Sequence, residues 1–361
     1  MFNIAFFIKI ALNIAVMFAL SLLVLSANKA GIFDLILKPV DKLKTSRSVL
    51  IFWFVLSTFL SAFTLDTTLA IILIPIALLY ASKRNISLLE TSIAVTWGNT
   101  VGSDWTYFGG GDTVIAWSLL EGALKRPLDI FTWGKLFWLP SLLVCLATLS
   151  WLILVVIKNK KLDTCIEVRQ KLSPKLFIVG ALLFLGLTSV FIPNASTYTL
   201  VFSIVAGIVS KLTIEDFKKL PFKGIYIWLF AIMFGTMFSN FIQANYTLTI
   251  SNSMYTLVGI LITLLIITLL TNVMTNSAIA AILLPLVLAS TFVDKPWLYV
   301  LVTKAISLSY LTIFANAGLA VSVSYKALNQ KMLFKYGLPI VTLQILIYLA
   351  YFYVMRGHIY L

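Results

Sequence analysis

Polar residues fall along this chain in short interruptions of otherwise apolar sequence. Apolar runs long enough to cross a bilayer, about 20 residues at 1.5 Å each, occur near 5–27, 137–157, 176–193, 197–213, 223–242 and 338–355. Other runs are cut by small polar clusters. Residues 64–78, Thr-Leu-Asp-Thr-Thr-Leu-Ala-Ile-Ile-Leu-Ile-Pro-Ile-Ala-Leu, return in altered form at 274–288 as Met-Thr-Asn-Ser-Ala-Ile-Ala-Ala-Ile-Leu-Leu-Pro-Leu-Val-Leu. Each copy predicts a helical hairpin, with arms at 48–64 and 68–82 around Asp66 and at 255–274 and 277–292 around Asn276; a helix-forming run in each ends at Pro75 or Pro285. The second arm of the first hairpin, read as about 14 residues, reaches about 21 Å against a hydrocarbon core of about 30 Å, which predicts re-entrance. The second hairpin has longer arms, and length leaves its path open. A broken helix follows each hairpin: 91–121, interrupted at Gly102-Ser103-Asp104 and Gly109-Gly110-Gly111-Asp112, and 297–323, interrupted at Ala315-Asn316-Ala317-Gly318. Such breaks are tolerated in a bilayer where they face protein or a water-filled cavity, and paired breaks in two halves point to a transporter's binding site.

Composition sets the class. The chain is 61% hydrophobic and 11% charged, with a mean hydropathy of +1.03, whereas soluble domains carry about 25% charged residues. This is an integral membrane protein of all-α class. The net charge of +14 comes from bases in short loops, where they set orientation and meet anionic lipid, so nucleic acid is not an expected partner. Cys145 and Cys165 have no metal-ligand spacing, and the lone His358 removes most histidine chemistry. No His-Glu zinc motif, Gly-x-Ser-x-Gly elbow or nucleotide loop appears, so an enzyme is not expected. The first apolar run lacks signal-peptide features and is expected to remain as a helix.

Twenty basic residues, from Lys29 to Lys335, fall in loops on one side, and Lys125, Arg126, Lys135, Lys295 and Arg356 on the other. The first side is therefore expected to be cytoplasmic. This gives about eight spans, two re-entrant hairpins and two broken helices, with both termini outside. Two full crossings per hairpin would give the same parity. The parity inverts the second half: 1–157 is the first repeat, with its hairpin at 48–82; 158–222 holds a cytoplasmic loop and two linking helices; 223–361 is the second repeat, with its hairpin at 255–292. Pro75 and Pro285 stand 210 residues apart, and the same offset carries the first break onto the second. Phe137-Trp138-Leu139-Pro140 and Tyr336-Gly337-Leu338-Pro339 open the final span of each half, and 31–44, 127–135 and 329–336 are expected to lie along the interface.

Several polar residues carry two readings. Asp66, costly at a bilayer centre, is expected to be functional or to cap the following arm. Asp104 and Asp112 beside exposed carbonyls suit a hard cation, though Asp112 can equally cap a half-helix from Thr113. The run Gly109-Gly110-Gly111 lets backbone approach an ion or forms a turn. Lys304 can pair with an intramembrane aspartate, attract an anion, or snorkel toward Trp297. Asn99, Thr100 and Ser103 line a path or bond neighbouring helices. Asn194-Ala195-Ser196 and Asn245-Tyr246-Thr247 are sequons on the outer side.

Together these features resemble the ion transporter superfamily, and within it the divalent-anion/sodium symporters and arsenite/antimonite permeases. The most specific element is Thr271-Asn272-Val273-Met274-Thr275-Asn276-Ser277, which looks like the Ser-Asn-Thr hairpin tip of the symporters. The first tip, Leu65-Asp66-Thr67, is closer to the Asn-Asp tip of the permeases. The resemblance implies a substrate site at both tips: Asp66, Thr67, Thr275, Asn276 and Ser277. It implies ion sites at Asp66 with Gly102, Ser103, Asp104, Gly109, Gly110, Gly111 and Asp112, and at the second tip with Asn316 and Gly318. Lys304 is a possible counter-charge. The expected function is secondary transport of a small anion by alternating access, coupled to sodium or protons; an efflux permease, a sodium/proton antiporter and a passive channel are the alternatives. No cofactor is expected beyond a sodium ion, and a homodimer is compatible with the family.

Overall fold

The computed structural model describes residues 15, 19–124, 128–162, 174–189, 195–218, 256–291, 296–313 and 315–355. The expected span at 223–242, the start of the span at 5–27, the loop at 163–173, both sequon asparagines, Cys165, His358, Lys125, Arg126, Lys295 and Arg356 lie outside these residues.

Among the described residues the regular structure is helical, with one isolated bridge between Thr45 and Lys161. Helix α1 (Ala19–Ala30) stops at Gly31, whose φ of 85° suits a residue without a Cβ, and the amphipathic α2 (Ile32–Asp41) follows. The first hairpin is α3 (Ser46–Ser61) and α4 (Asp66–Lys83). The first broken helix is α5 (Leu88–Ser103), capped by the Ser87 hydroxyl, and α6 (Gly111–Leu124). Helix α7 (Ile130–Trp151) continues through a π-helical turn at Leu152–Val156. Asp129 caps it by accepting the Thr132 N–H at 2.6 Å, a bond that holds this exposed carboxyl below the usual carboxylate range. The linking helices α8 (Pro174–Ser189) and α9 (Ala195–Ser210) pack together, and the short α10 (Ile214–Phe217) follows. The second hairpin is α11 (Leu257–Val273) and α12 (Asn276–Thr291). The second broken helix is α13 (Pro296–Ile306) and α14 (Ala317–Ser324), and α15 (Gln330–Met355) closes the described chain.

The four prolines read as boundaries do not act as such. Pro75, Pro285, Pro140 and Pro339 all lie inside helices. Membrane helices accommodate internal proline because neighbouring groups satisfy the carbonyl it frees. Helix α4 has 18 residues, about 27 Å, so a short arm no longer argues for re-entrance, and by length and composition it is one of three described helices able to cross, with Ile130–Val156 and Gln330–Met355. The segments expected along the interface at 127–135 and 329–336 run on as the first turns of α7 and α15 from Ile130 and Gln330.

The two halves pair their helices in the same way. Each hairpin's second arm packs on the first half-helix of its own half and on the second half-helix of the other: α4 on α5 and α14, α12 on α13 and α6. The final helices α7 and α15 pack together, with Gln344 Nε2 donating to Thr148 Oγ1 at 2.9 Å and to the Tyr310 hydroxyl at 3.2 Å. Close approach of α3 and α5 depends on Gly98 and Gly102: a Cβ on Gly102 would sit 2.3 Å from the Thr58 carbonyl oxygen.

Loops that charge counting places on one side are joined to each other. Ser46 N–H donates to the Lys160 carbonyl at 2.9 Å and Leu162 N–H to the Lys44 carbonyl at 2.8 Å. Arg84, buried at the end of α4, donates to the Asp41 and Leu43 carbonyls, while the Tyr80 hydroxyl reaches the Asp41 carboxylate at 2.8 Å. Lys29 bonds the Lys211 carbonyl and the Asp216 carboxylate.

Candidate functional site

The first hairpin tip is seated in the break of the helix that follows it. Asp66 N–H donates to the Gly109 carbonyl at 2.9 Å, and Asn99 Nδ2 donates to the Asp66 carbonyl at 2.9 Å. The Ser61 hydroxyl donates to the Asn99 carbonyl at 2.7 Å, and the Thr106 hydroxyl to the Ala62 carbonyl. Gly109 is required by this fit, because a Cβ there would lie 2.4 Å from the Ser103 carbonyl oxygen and 2.6 Å from that of Ser61. Asp66 is the first residue of α4, and Leu65 before it makes no side-chain cap. The half-buried Asp66 carboxylate accepts the Thr67 N–H at 2.6 Å and the Thr67 hydroxyl at 3.1 Å.

The second tip docks with different side chains to the same effect. The Thr271 hydroxyl donates to the Ile306 carbonyl at 2.6 Å, Asn272 Nδ2 donates to the Leu308 carbonyl at 2.9 Å, and Asn272 Oδ1 accepts the Leu311 N–H at 2.7 Å. The Asn276 amide lies 2.5 Å from Thr271 Oγ1 and 3.1 Å from Ser309 Oγ. Thr271 has one proton and gives it to Ile306, so the amide is best oriented with its NH2 toward Thr271 and the Ala315 carbonyl and its oxygen accepting from Ser309. Thr275 is exposed at this tip.

The two breaks meet each other. Lys304 Nζ, 1% exposed, lies 3.2 Å from Asp104 Oδ2 and donates to the Asp104 carbonyl at 3.2 Å and to Ser141 Oγ at 2.7 Å. Ser307 Oγ lies 2.7 Å from Asp104 Oδ1 and 3.2 Å from Asp112 Oδ2. Asn316 caps α14 by accepting the Gly318 N–H at 2.7 Å, and its Nδ2 donates to Thr100 Oγ1 at 3.0 Å. Gly318 faces Thr96 and Asn99, where a Cβ would come within 3.0 Å of Thr96 Cγ2. Asp66, Asp104 and Asp112 lie within electrostatic range of one another, so among the described residues three carboxylates share this region with one ammonium.

A family model described as a citrate transporter matches residues 3–305, most of the chain and both hairpins. The chain belongs to the citrate transporter family. That family lies within the ion transporter superfamily of divalent-anion/sodium symporters, as the residue resemblance implied, and its members are membrane transporters, not enzymes. No curated protein matches the chain significantly.

For this citrate transporter family member, the structure gathers the first-half candidates: Asp66, Thr67, Gly102, Ser103, Asp104, Gly109, Gly110, Gly111 and Asp112 all lie at the first tip, its break or the half-helix ends beside it. Helix α6 begins at Gly111, so Asp112 sits within its first turn and does not cap it from Thr113. Lys304 turns inward to Asp104 and does not snorkel. Asn99, Thr100 and Ser103 all bond to neighbouring groups. The second half divides differently from expectation: Asn276 bonds to Ser309 and Ala315, while the Asn316 side chain and the Gly318 backbone face the first half. Ser307, Ser309 and Ser141 escaped the sequence reading. Ser309 was findable, because it stands 210 residues after Asn99, and Ser307 follows Lys304 by one helical turn.

Proposed function

We propose that this protein is a secondary transporter of citrate or a closely related small anion, with the two hairpin tips forming the substrate site and a coupling cation, sodium or proton, neutralising Asp66. Membership of the citrate transporter family supports the substrate class. The observation that carries the mechanism is the seating of both tips in the breaks of the following helices, with those breaks joined across the halves through Asn316–Thr100 and Lys304–Asp104. Equivalent pairing of α4 with α14 and α12 with α6 supports an inverted repeat, whose two halves rock against one another in alternating access. The first tip stops at the middle of the α5–α6 broken helix, which favours re-entrance over a full crossing.

Electrostatics gives the coupling. A polyanion entering beside Asp66, with Asp104 and Asp112 close by and Lys304 already committed to Asp104, is repelled until Asp66 is neutralised. A cation that binds first therefore raises affinity for the anion, and by linkage the anion raises affinity for the cation. The test is uptake by the purified protein in proteoliposomes under imposed sodium or proton gradients, with citrate, dicarboxylates, sulfate and arsenite as substrates. Saturable citrate uptake that collapses when the gradient is dissipated is the expected result; gradient-independent, non-saturating flux would make the protein a channel.

A further inference from the structure

We propose that Lys304 is a tethered cation: its ammonium occupies, inside the first-half break, a position that would otherwise hold a free monovalent cation. The inference rests on the reading of the breaks as ion sites, and it adds that one of them is filled by the protein itself.

The geometry is that of a cation site. The Lys304 ammonium is surrounded by a carboxylate oxygen, Asp104 Oδ2 at 3.2 Å, a main-chain carbonyl, Asp104 O at 3.2 Å, and a hydroxyl, Ser141 Oγ at 2.7 Å. Carboxylate, carbonyl and hydroxyl oxygens are the ligands that hard cations take. The carbonyl belongs to the residue that follows α5 as its C-cap, where the helix dipole adds negative potential. The Phe137 ring, its centroid 5.3 Å from Nζ, adds a further face that favours positive charge. Ser141 donates its own proton to the Phe137 carbonyl at 2.7 Å, which leaves its oxygen free to accept from Lys304. Ser307 takes the other Asp104 oxygen at 2.7 Å, so both carboxylate oxygens are engaged.

The pair bridges the two halves and has no counterpart under the repeat. The 210-residue offset that relates the hairpins places Ala94 opposite Lys304 and Phe314 opposite Asp104. Both the ammonium and the carboxylate it answers are thus missing from the corresponding positions. Any buried ammonium needs acceptors for its three N–H donors; what marks this one is that carboxylate, carbonyl and hydroxyl oxygens, the ligands of a hard cation, meet it at an interrupted helix end.

The test is thermal unfolding of the purified full-length protein in detergent, in sodium chloride against choline chloride at equal ionic strength. It compares wild type, Lys304→Met and the double variant Asp104→Asn/Lys304→Met. Because it reads binding and not transport, its outcome is separate from whether citrate is the substrate. Lys304→Met leaves Asp104 buried beside an empty oxygen cage, so sodium is expected to raise its unfolding temperature by ~2 °C or more beyond any sodium shift of wild type. The double variant removes the carboxylate and is expected to return to the wild-type response. A folded Lys304→Met whose sodium shift equals that of wild type overturns the proposal. So does a Lys304→Met that cannot be recovered folded even in sodium, or an added sodium shift that survives in the double variant.

Discussion

Asn99 and Ser309 stand 210 residues apart, in the two halves of the chain, and each holds the tip of its own hairpin: Asn99 Nδ2 donates to the Asp66 carbonyl at 2.9 Å, and Ser309 Oγ lies 3.1 Å from the Asn276 amide. The spacing is that of Pro75 and Pro285. One half uses an amide reaching a carbonyl and the other a hydroxyl meeting an amide, so the contact persists where the residues differ. Both tips are thereby fixed to the segment where the next helix loses its backbone hydrogen bonds, which leaves carbonyls and N–H groups there to be satisfied by the tip or by a ligand.

The tight seat of the first tip predicts a stability contrast between glycines. A Cβ on Gly102 meets Thr58 backbone at 2.3 Å and 2.7 Å, whereas one on Gly180 meets only Ile32 Cδ1 at 3.8 Å. Gly102→Ala is expected to cost about 1–3 kcal/mol by forcing α3 and α5 apart. Gly180→Ala is expected to unfold at or slightly above the wild-type temperature in the same thermal assay, and an unperturbed Gly102→Ala would refute the close packing.

Asn276 and Thr275 separate holding from binding. Asn276 is fastened to Thr271 and Ser309, so Asn276→Ala is expected to lose about 1–2 kcal/mol of stability and to raise the substrate constant as well. Thr275 is exposed at the same tip, where its hydroxyl oxygen accepts the Ala278 N–H at a long 3.4 Å, so Thr275→Ala is expected to raise the substrate constant at a smaller loss of stability than Asn276→Ala. Uptake kinetics and thermal unfolding on the same preparations check both. Unaltered kinetics in both variants would remove this tip from the site.

The broken helix between α4 and α7 is expected to cross the membrane. Lys83→Cys and Lys135→Cys, both at exposed positions, should then react with an impermeant thiol reagent from opposite faces, Lys83→Cys from the cytoplasmic one. Thr45→Cys, at the other end of the first hairpin, should share the face of Lys83→Cys. Labelling of positions 83 and 135 from one face would break the proposed topology.

Much of this architecture was legible because each element announces itself through a local contrast. Apolar runs with polar interruptions gave both hairpins and both broken helices, and Asp66 and Asn276 stood out as polar residues where apolar ones were expected. Helix ends were less legible, since proline marks boundaries in water but is tolerated inside membrane helices, as at Pro75 and Pro339. Contacts between halves were not legible at all. Asn316 meets Thr100, and Ser307 meets Asp104 and Asp112, because of which helix faces oppose each other, and residues about 200 apart carry no local mark of that. Lys304 was visible as an oddity, a base within an apolar helix, but its partner among the aspartates required the fold.

Coupling of a cation to the anion through neutralisation of Asp66 is tested by labelled-citrate uptake across a range of pH and sodium in proteoliposomes bearing wild type or Asp66→Asn. Asparagine keeps the shape, and its side-chain oxygen can still accept the Thr67 N–H that Asp66 accepts at 2.6 Å, so folding is expected to survive. Uptake by wild type is expected to rise with the coupling cation, and Asp66→Asn is expected to flatten or abolish that dependence. An Asp66→Asn protein with the wild-type rate and the wild-type pH and sodium profile would show that the coupling charge lies elsewhere.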